Sequence, residues 1–212
     1  MRRALLAIAL LLVGGGAIVS DGREAPPQVL TVPGRRERVV LDRGEVWLER
    51  EGRRRSLGLA RYHPWKLAWA HVAGRPQLAV GVFKPTRFDP EPHHALFLYD
   101  WEDGELTPRW LGSRLSKPFS DFAFADMRRS GETELAAAEQ LRDGRWCLVI
   151  YRWTGFGFQG EWQSRPFARL SNLTVSEPAV TGRIASPAGN RSVWFGWRGD
   201  SYGEIPPDRG RR

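Results

Sequence analysis

The chain has 212 residues, a formal net charge of +8, ten tryptophans and ten phenylalanines, enough apolar material for one domain with a sizeable core or a short array of small repeats. A single cysteine, Cys147, excludes an internal disulfide, and its apolar strand context reads as inert packing. Of the 32 basic residues only Lys66, Lys84 and Lys117 are lysine, so the charge reads as an arginine-rich composition with no nucleic-acid partner.

Met1-Arg2-Arg3 precedes an apolar run from Ala4 to Val19 that ends in small residues, the pattern of an export signal. The run falls short of the roughly 20 residues needed to cross a bilayer comfortably, and it contains Gly14-Gly15-Gly16. Residues 1–20 are therefore expected to be a signal peptide, cleaved after Ala17 or Ser20, or else an uncleaved anchor helix. Membrane contact is expected only through residues 4–19, and only if they are retained. Residues 21–34, with Pro26-Pro27 and Pro33-Gly34, read as an extended leader. Residues 35–205 read as the folded domain and 206–212 as a basic tail.

Within the domain, short runs of β-branched and aromatic residues are split by Gly, Pro and Asp, as in all-β chains. The predicted strands are Glu45–Leu48, Leu67–His71, Gln77–Val82, Ala95–Trp101, Leu106–Trp110, Asp121–Asp126, Glu134–Glu139, Trp146–Trp153, Phe156–Trp162, Leu170–Val175, Val193–Trp197 and Tyr202–Ile205. Asp103-Gly104 and Asp143-Gly144 are hairpin turns, because glycine accepts the positive φ that tight turns demand.

One segment occurs twice, from about Trp65 to Trp110 and from about Phe119 to Trp162. Leu67–His71 aligns with Phe122–Asp126, Gln77–Val80 with Glu134–Ala137, and Leu98–Trp101 with Ile150–Trp153. Turn glycines at Gly52, Gly104, Gly155 and Gly199 extend the register to two degraded outer copies. A unit of this size holding four short strands is one propeller blade, whose apolar faces only a neighbour can cover. The expected fold is all-β: a small or partial β-propeller of about four blade-like repeats, with an open stack or a ring completed by a second copy as the alternatives.

These residues resemble exported bacterial proteins with FG-GAP or VCBS-type propeller repeats. The resemblance covers about residues 63–162 and rests on Gln77–Lys84, Phe97–Trp101, Pro108–Phe119, Asp121–Asp126 and Tyr151–Phe158. It implies fold and export and brings no established activity. In that family the loop after the Phe-x-Asp strand is an acidic, calcium-like turn. Here the second copy places Arg128 where a carboxylate belongs, and the first copy, His71–Pro76, keeps no carboxylate. A guanidinium opposes the ion's charge, so no calcium or other cofactor is expected, and Asp126 and Glu134 read as turn and hairpin residues.

The remaining motifs are weak. His93-His94 beside Asp89 and Glu91 reads as a polar loop, not a zinc site. Arg198-Gly199-Asp200 copies an integrin-recognition tripeptide but sits where the fourth repeat needs a turn, and Asn172 and Asn190 begin glycosylation sequons. No nucleophile, metal-hydrolase or phosphate-loop motif is present, so no catalytic residue and no enzyme activity is expected.

The best place to look for function is the link Gly112–Phe119 and the strand start after it: Ser113, Arg114, Ser116, Lys117 and Asp121 form the candidate interaction loop. Its cations would meet a carboxylate or a cell-wall polymer, or Arg114 and Asp121 would pair to fix adjacent blades. The expected function is a non-enzymatic, exported interaction scaffold at the bacterial cell envelope, with an envelope protein or cell-wall polymer as partner. The alternatives are a carbohydrate-binding or degenerate carbohydrate-active protein that stacks sugars on Trp65 or Trp162, and a membrane-tethered accessory subunit.

Overall fold

The computed structural model describes residues 26–86, 89–102, 105–112, 115–186 and 189–207. The signal or anchor segment and most of the basic tail lie outside them. Sixteen strands follow in chain order. They are β1 (Gln28–Thr31), β2 (Arg38–Asp42), β3 (Glu45–Arg50), β4 (Arg53–Ser56), β5 (Pro64–Val72), β6 (Arg75–Thr86), β7 (Asp89–Glu102) and β8 (Glu105–Leu111). Then come β9 (Phe119–Ala125), β10 (Glu134–Gln140), β11 (Trp146–Trp153), β12 (Phe158–Gln163), β13 (Leu170–Ser176), β14 (Ala179–Ser186), β15 (Gly189–Trp197) and β16 (Tyr202–Ile205). Each consecutive set of four forms one antiparallel sheet, β1–β4, β5–β8, β9–β12 and β13–β16, and the four sheets are arranged as a four-bladed propeller.

Three apolar cores hold neighbouring sheets together. Val39, Leu41 and Val46 of the first sheet meet Leu67, Leu78, Val80 and Phe97 of the second. The opposite face of the second sheet, with Ala79, Leu96 and Leu98, meets Phe122, Phe124, Leu135 and Val149 of the third. Ala123, Ala136, Leu148 and Ile150 then turn from the third sheet toward Val180, Ile184, Val193 and Phe195 of the fourth. Successive strand residues point to opposite faces, so a sheet covered on both sides has no room for polar alternation. That explains β10, whose residues Glu134 to Ala138 are all buried although alanine is a poor strand former: small side chains let two sheets close on it. Gly81 serves the same close approach, since a Cβ there would stand 2.7 Å from the Phe122 ring and 2.8 Å from that of Trp65.

The terminal sheets behave differently. The outward face of sheet four carries Thr174, Arg183, Asn190 and Ser192, all exposed. That of sheet one carries Arg38, Glu49 and Arg54 beside Trp47 and a buried Val40. Among the described residues no apolar cluster joins sheet four to sheet one, and neither terminal sheet takes a strand from the other.

All twelve predicted strands are present, and both copies of the repeat form complete sheets. Gly52, Gly155 and Gly199 each adopt positive φ in the turn before the outermost strand of their sheet; Gly104 lies outside the described residues. Four strands went unread. β1 falls within 21–34, so the domain begins before residue 35 and part of the expected leader is the innermost strand of the first blade. β2, the arginine strand β4 and β14 lacked an alternating pattern of their own. His93 and His94 belong to β7 and not to a loop, because β6 and β7 pair as a long ribbon out to Thr86 and Asp89.

Candidate functional site

The link between β8 and β9 delivers Ser116 and Lys117 onto the face of sheet three that turns toward sheet two. Beneath them lies Glu139, fully buried near the end of β10, opposite Cys147 in register. The Ser116 hydroxyl donates to Glu139 Oε2 at 2.7 Å and Lys117 Nζ donates to the same oxygen at 3.2 Å. The Tyr151 hydroxyl, from β11, donates to Glu139 Oε1 and accepts from the Ser116 amide at 3.0 Å. Burial first, and then the hydrogen bond to the Glu139 carboxylate, push the Tyr151 hydroxyl well above its usual pKa. Burial also lifts the Cys147 thiol to about 11, against the opposing effect of Lys117.

Both carboxylate oxygens of Glu139 are thus bound by donors from its own chain. Tyr151, Ser116 and Lys117 occupy three of the roughly four hydrogen-bond positions that a carboxylate offers. The cluster fastens the link to the blade. Its open side is a groove of about 720 Å³ lined by Ser116, Lys117, Pro118, Gln140, Leu141, Arg142 and Asp143. Arg145 binds Asp143 at 2.7 Å and, by hydrogen bonding, holds its carboxyl below the usual range. Arg142 on the same turn is exposed. A second hollow of about 270 Å³, with Phe83, His93, His94 and Trp146, shares Pro118 and Gln140 with the groove. There His94 Nδ1–H donates to the Phe119 carbonyl at 2.7 Å while its ring packs against Trp65 and Phe83.

Of the candidate loop, the structure brings Ser116 and Lys117 together and sets Asp121 apart. Ser113 and Arg114 lie outside the described residues. The partner of Asp121 is Lys66, at 2.5 Å, and its other oxygen accepts from the Leu173 amide at 2.7 Å while Lys66 reaches the Leu173 carbonyl at 3.1 Å. This joins the innermost strands of sheets two, three and four. Gln28 clamps Leu67 in the same manner, accepting from its amide at 2.8 Å and donating to its carbonyl at 2.6 Å, so sheet one is tied in as well.

The loop that resembles a calcium turn is closed by protein donors. Asp126 accepts from the amides of Ser130 and Gly131, both at 2.8 Å. Glu134, buried, accepts from the Met127 amide at 2.9 Å and from Arg128 Nε at 2.8 Å. Among the described residues no group of three or more His, Cys, Asp or Glu is placed to hold a metal ion. Trp65 and Trp162 pack against the cores between sheets.

Sequence reasoning missed Glu139, Tyr151 and Arg142. The available signal was a lone glutamate on the inward phase of an alanine strand, which demands buried donors. The fold and this cluster define a class: a four-bladed β-propeller whose blade links are bolted down by buried polar residues. In comparison with known proteins, no family model matches the chain and no curated protein matches it.

Proposed function

We propose that the chain is a non-enzymatic interaction module that acts outside the cytoplasm at a bacterial cell envelope, as a degenerate relative of FG-GAP or VCBS-type propellers. The groove at Ser116 and Lys117 is its docking surface for an acidic segment of an envelope protein or wall polymer. The observation that carries this reading is Glu139: a buried carboxylate anchors Ser116 and Lys117 from below, so a cationic rim is held in place for a partner. The export part rests on the pattern of residues 1–20, and the calcium-free part on the internal saturation of Asp126 and Glu134. Pulldown from envelope extracts tests the reading. Arg142→Glu, an exposed change that breaks no ion pair among the described residues, should reduce capture about tenfold while leaving the melting temperature unchanged. Equal capture by wild type and variant would remove the groove from consideration.

A carbohydrate-binding reading retains one observation in its favour. Phe156, at the tip of the β11–β12 turn, is 85% exposed, an aromatic face open to a sugar ring. Glycan screening of wild type against Phe156→Ala separates the two readings, since only the second predicts a loss there.

A further inference from the structure

We propose that the outward face and rim of sheet one form a second site, which takes a phosphate-bearing anion. Two arginine clusters far apart in sequence converge there on a hollow of about 400 Å³: Arg36 and Arg38 from the start of β2, and Arg50, Arg53 and Arg54 from the β3–β4 hairpin. Carboxylates hold three of these arginines in place. Arg38 pairs with Glu49 at 2.7 Å, and Arg50 with Glu37 at 3.3 Å. Arg54 reaches Asp42 at 3.2 Å and Glu49 at 3.0 Å, and lies over the Trp47 ring at 5.4 Å. Arg36 and Arg53, among the described residues, meet no carboxylate within ion-pair distance and face solvent. The result is a pre-positioned array with two uncommitted guanidinium groups, whose planar donor forks match phosphate oxygens in pairs.

The repeat itself marks this face as special. In sheets two, three and four the face turned toward the preceding sheet is apolar, as Leu78 and Phe97, Phe122 and Leu135, and Val180 and Phe195 show. Among the described residues no apolar cluster covers the matching face of sheet one: it carries a row of Val29, Val40 and Trp47 and, nearer the β1–β2 and β3–β4 turns, the row Arg38, Glu49 and Arg54. Because neighbouring strands run antiparallel, the β1–β2 and β3–β4 turns share one rim, whereas the blade links and the β10–β11 turn of the Lys117 groove share the other. The chain also enters β1 at Gln28 on that other rim, opposite the arginines. The inference stands independently of the groove.

Calorimetric titration with inorganic phosphate and with linear polyphosphate, at matched ionic strength, tests it. Three proteins are compared: wild type, Arg36→Ser/Arg53→Ser, and the charge-matched control Arg183→Ser/Arg191→Ser on sheet four. Saturable binding by wild type and control, weakened about tenfold or more in the Arg36/Arg53 variant, supports the site. If phosphate competes with polyphosphate, the ligand is a single phosphoryl group; if only polyphosphate binds, it is a polymer. Absence of saturable binding by wild type, or equal weakening in both double variants, overturns the proposal.

Discussion

Glu139 shows how one residue governs the candidate site. Removing its carboxylate leaves the Tyr151 hydroxyl, the Ser116 hydroxyl and the Lys117 ammonium without their shared acceptor in a site closed to water on the blade side. Lys117 and Ser116 reach water in the groove, so the cost comes from the buried Tyr151 hydroxyl left without its acceptor, and Glu139→Ala should lower the urea midpoint by the equivalent of about 1–3 kcal/mol. Glu139→Gln, which keeps an acceptor, should cost clearly less. Tyrosine titration supplies a second measurement. Burial, followed by the neighbouring Tyr62, raises Tyr99 to about 12, and burial also raises Tyr151 and Tyr202 above the usual value. Unfolded tyrosine loses its proton near pH 10, while the folded residue holds it longer. The stability that protonated tyrosine contributes is therefore fully present below pH 10 and is lost as pH rises toward 12. In a Tyr62→Phe background, the tyrosinate absorbance of Tyr99, Tyr151 and Tyr202 should consequently rise together with loss of near-ultraviolet dichroism, not before it. The Cys147 thiol, with a pKa of about 11 and no exposed surface, should resist alkylation at pH 8 until urea unfolds the chain.

At the scale of elements, each blade depends on how closely its inner strands approach the next. Gly81 on β6 admits no side chain, because the Phe122 and Trp65 rings occupy the space a methyl group would need. Gly81→Ala should destabilise the fold by about 1–3 kcal/mol in thermal denaturation, since an overpacked core must shift its rings. A glycine in an exposed turn with positive φ, such as Gly144, meets no atom within 4 Å of an added Cβ, so substitution there costs backbone strain alone. The inner-strand clamp at Lys66, Asp121 and Leu173 links three sheets through one carboxylate. A double-mutant cycle of Lys66→Met and Asp121→Asn should show strong coupling, whereas additive losses would mean that Asp121 acts only through the Leu173 amide.

Over the whole molecule, stability follows the count of sealed faces. Sheets two and three join apolar cores on both sides, and among the described residues sheets one and four each join one such core. In a stack whose units contact only their neighbours, the ends open more readily than the middle. Hydrogen exchange should therefore be slowest in β6, β7, β10 and β11 and fastest in β1, β4 and β16. Uniform protection across all sixteen strands would instead require a sealed contact between the first and last sheets.

The sequence by itself determined the repeat, the all-β class and the placement of the central strands, because residues 64–163 carry two full copies of a pattern that only stacked sheets can bury. It was legible there because both faces of these sheets are covered, leaving a dense apolar record. The same record fades at the ends. β1 and β4 bury little, and β4 is mostly arginine, while β2 is a run of only three buried residues, Val39 to Leu41, so none of them shows an alternation long enough to read. The partners of the link were also beyond reach of sequence. Lys117 meets Glu139, and Asp121 meets Lys66, across 22 and 55 residues of chain. Such pairings are set by which faces the stacked sheets turn toward one another, and only the tertiary structure fixes that orientation.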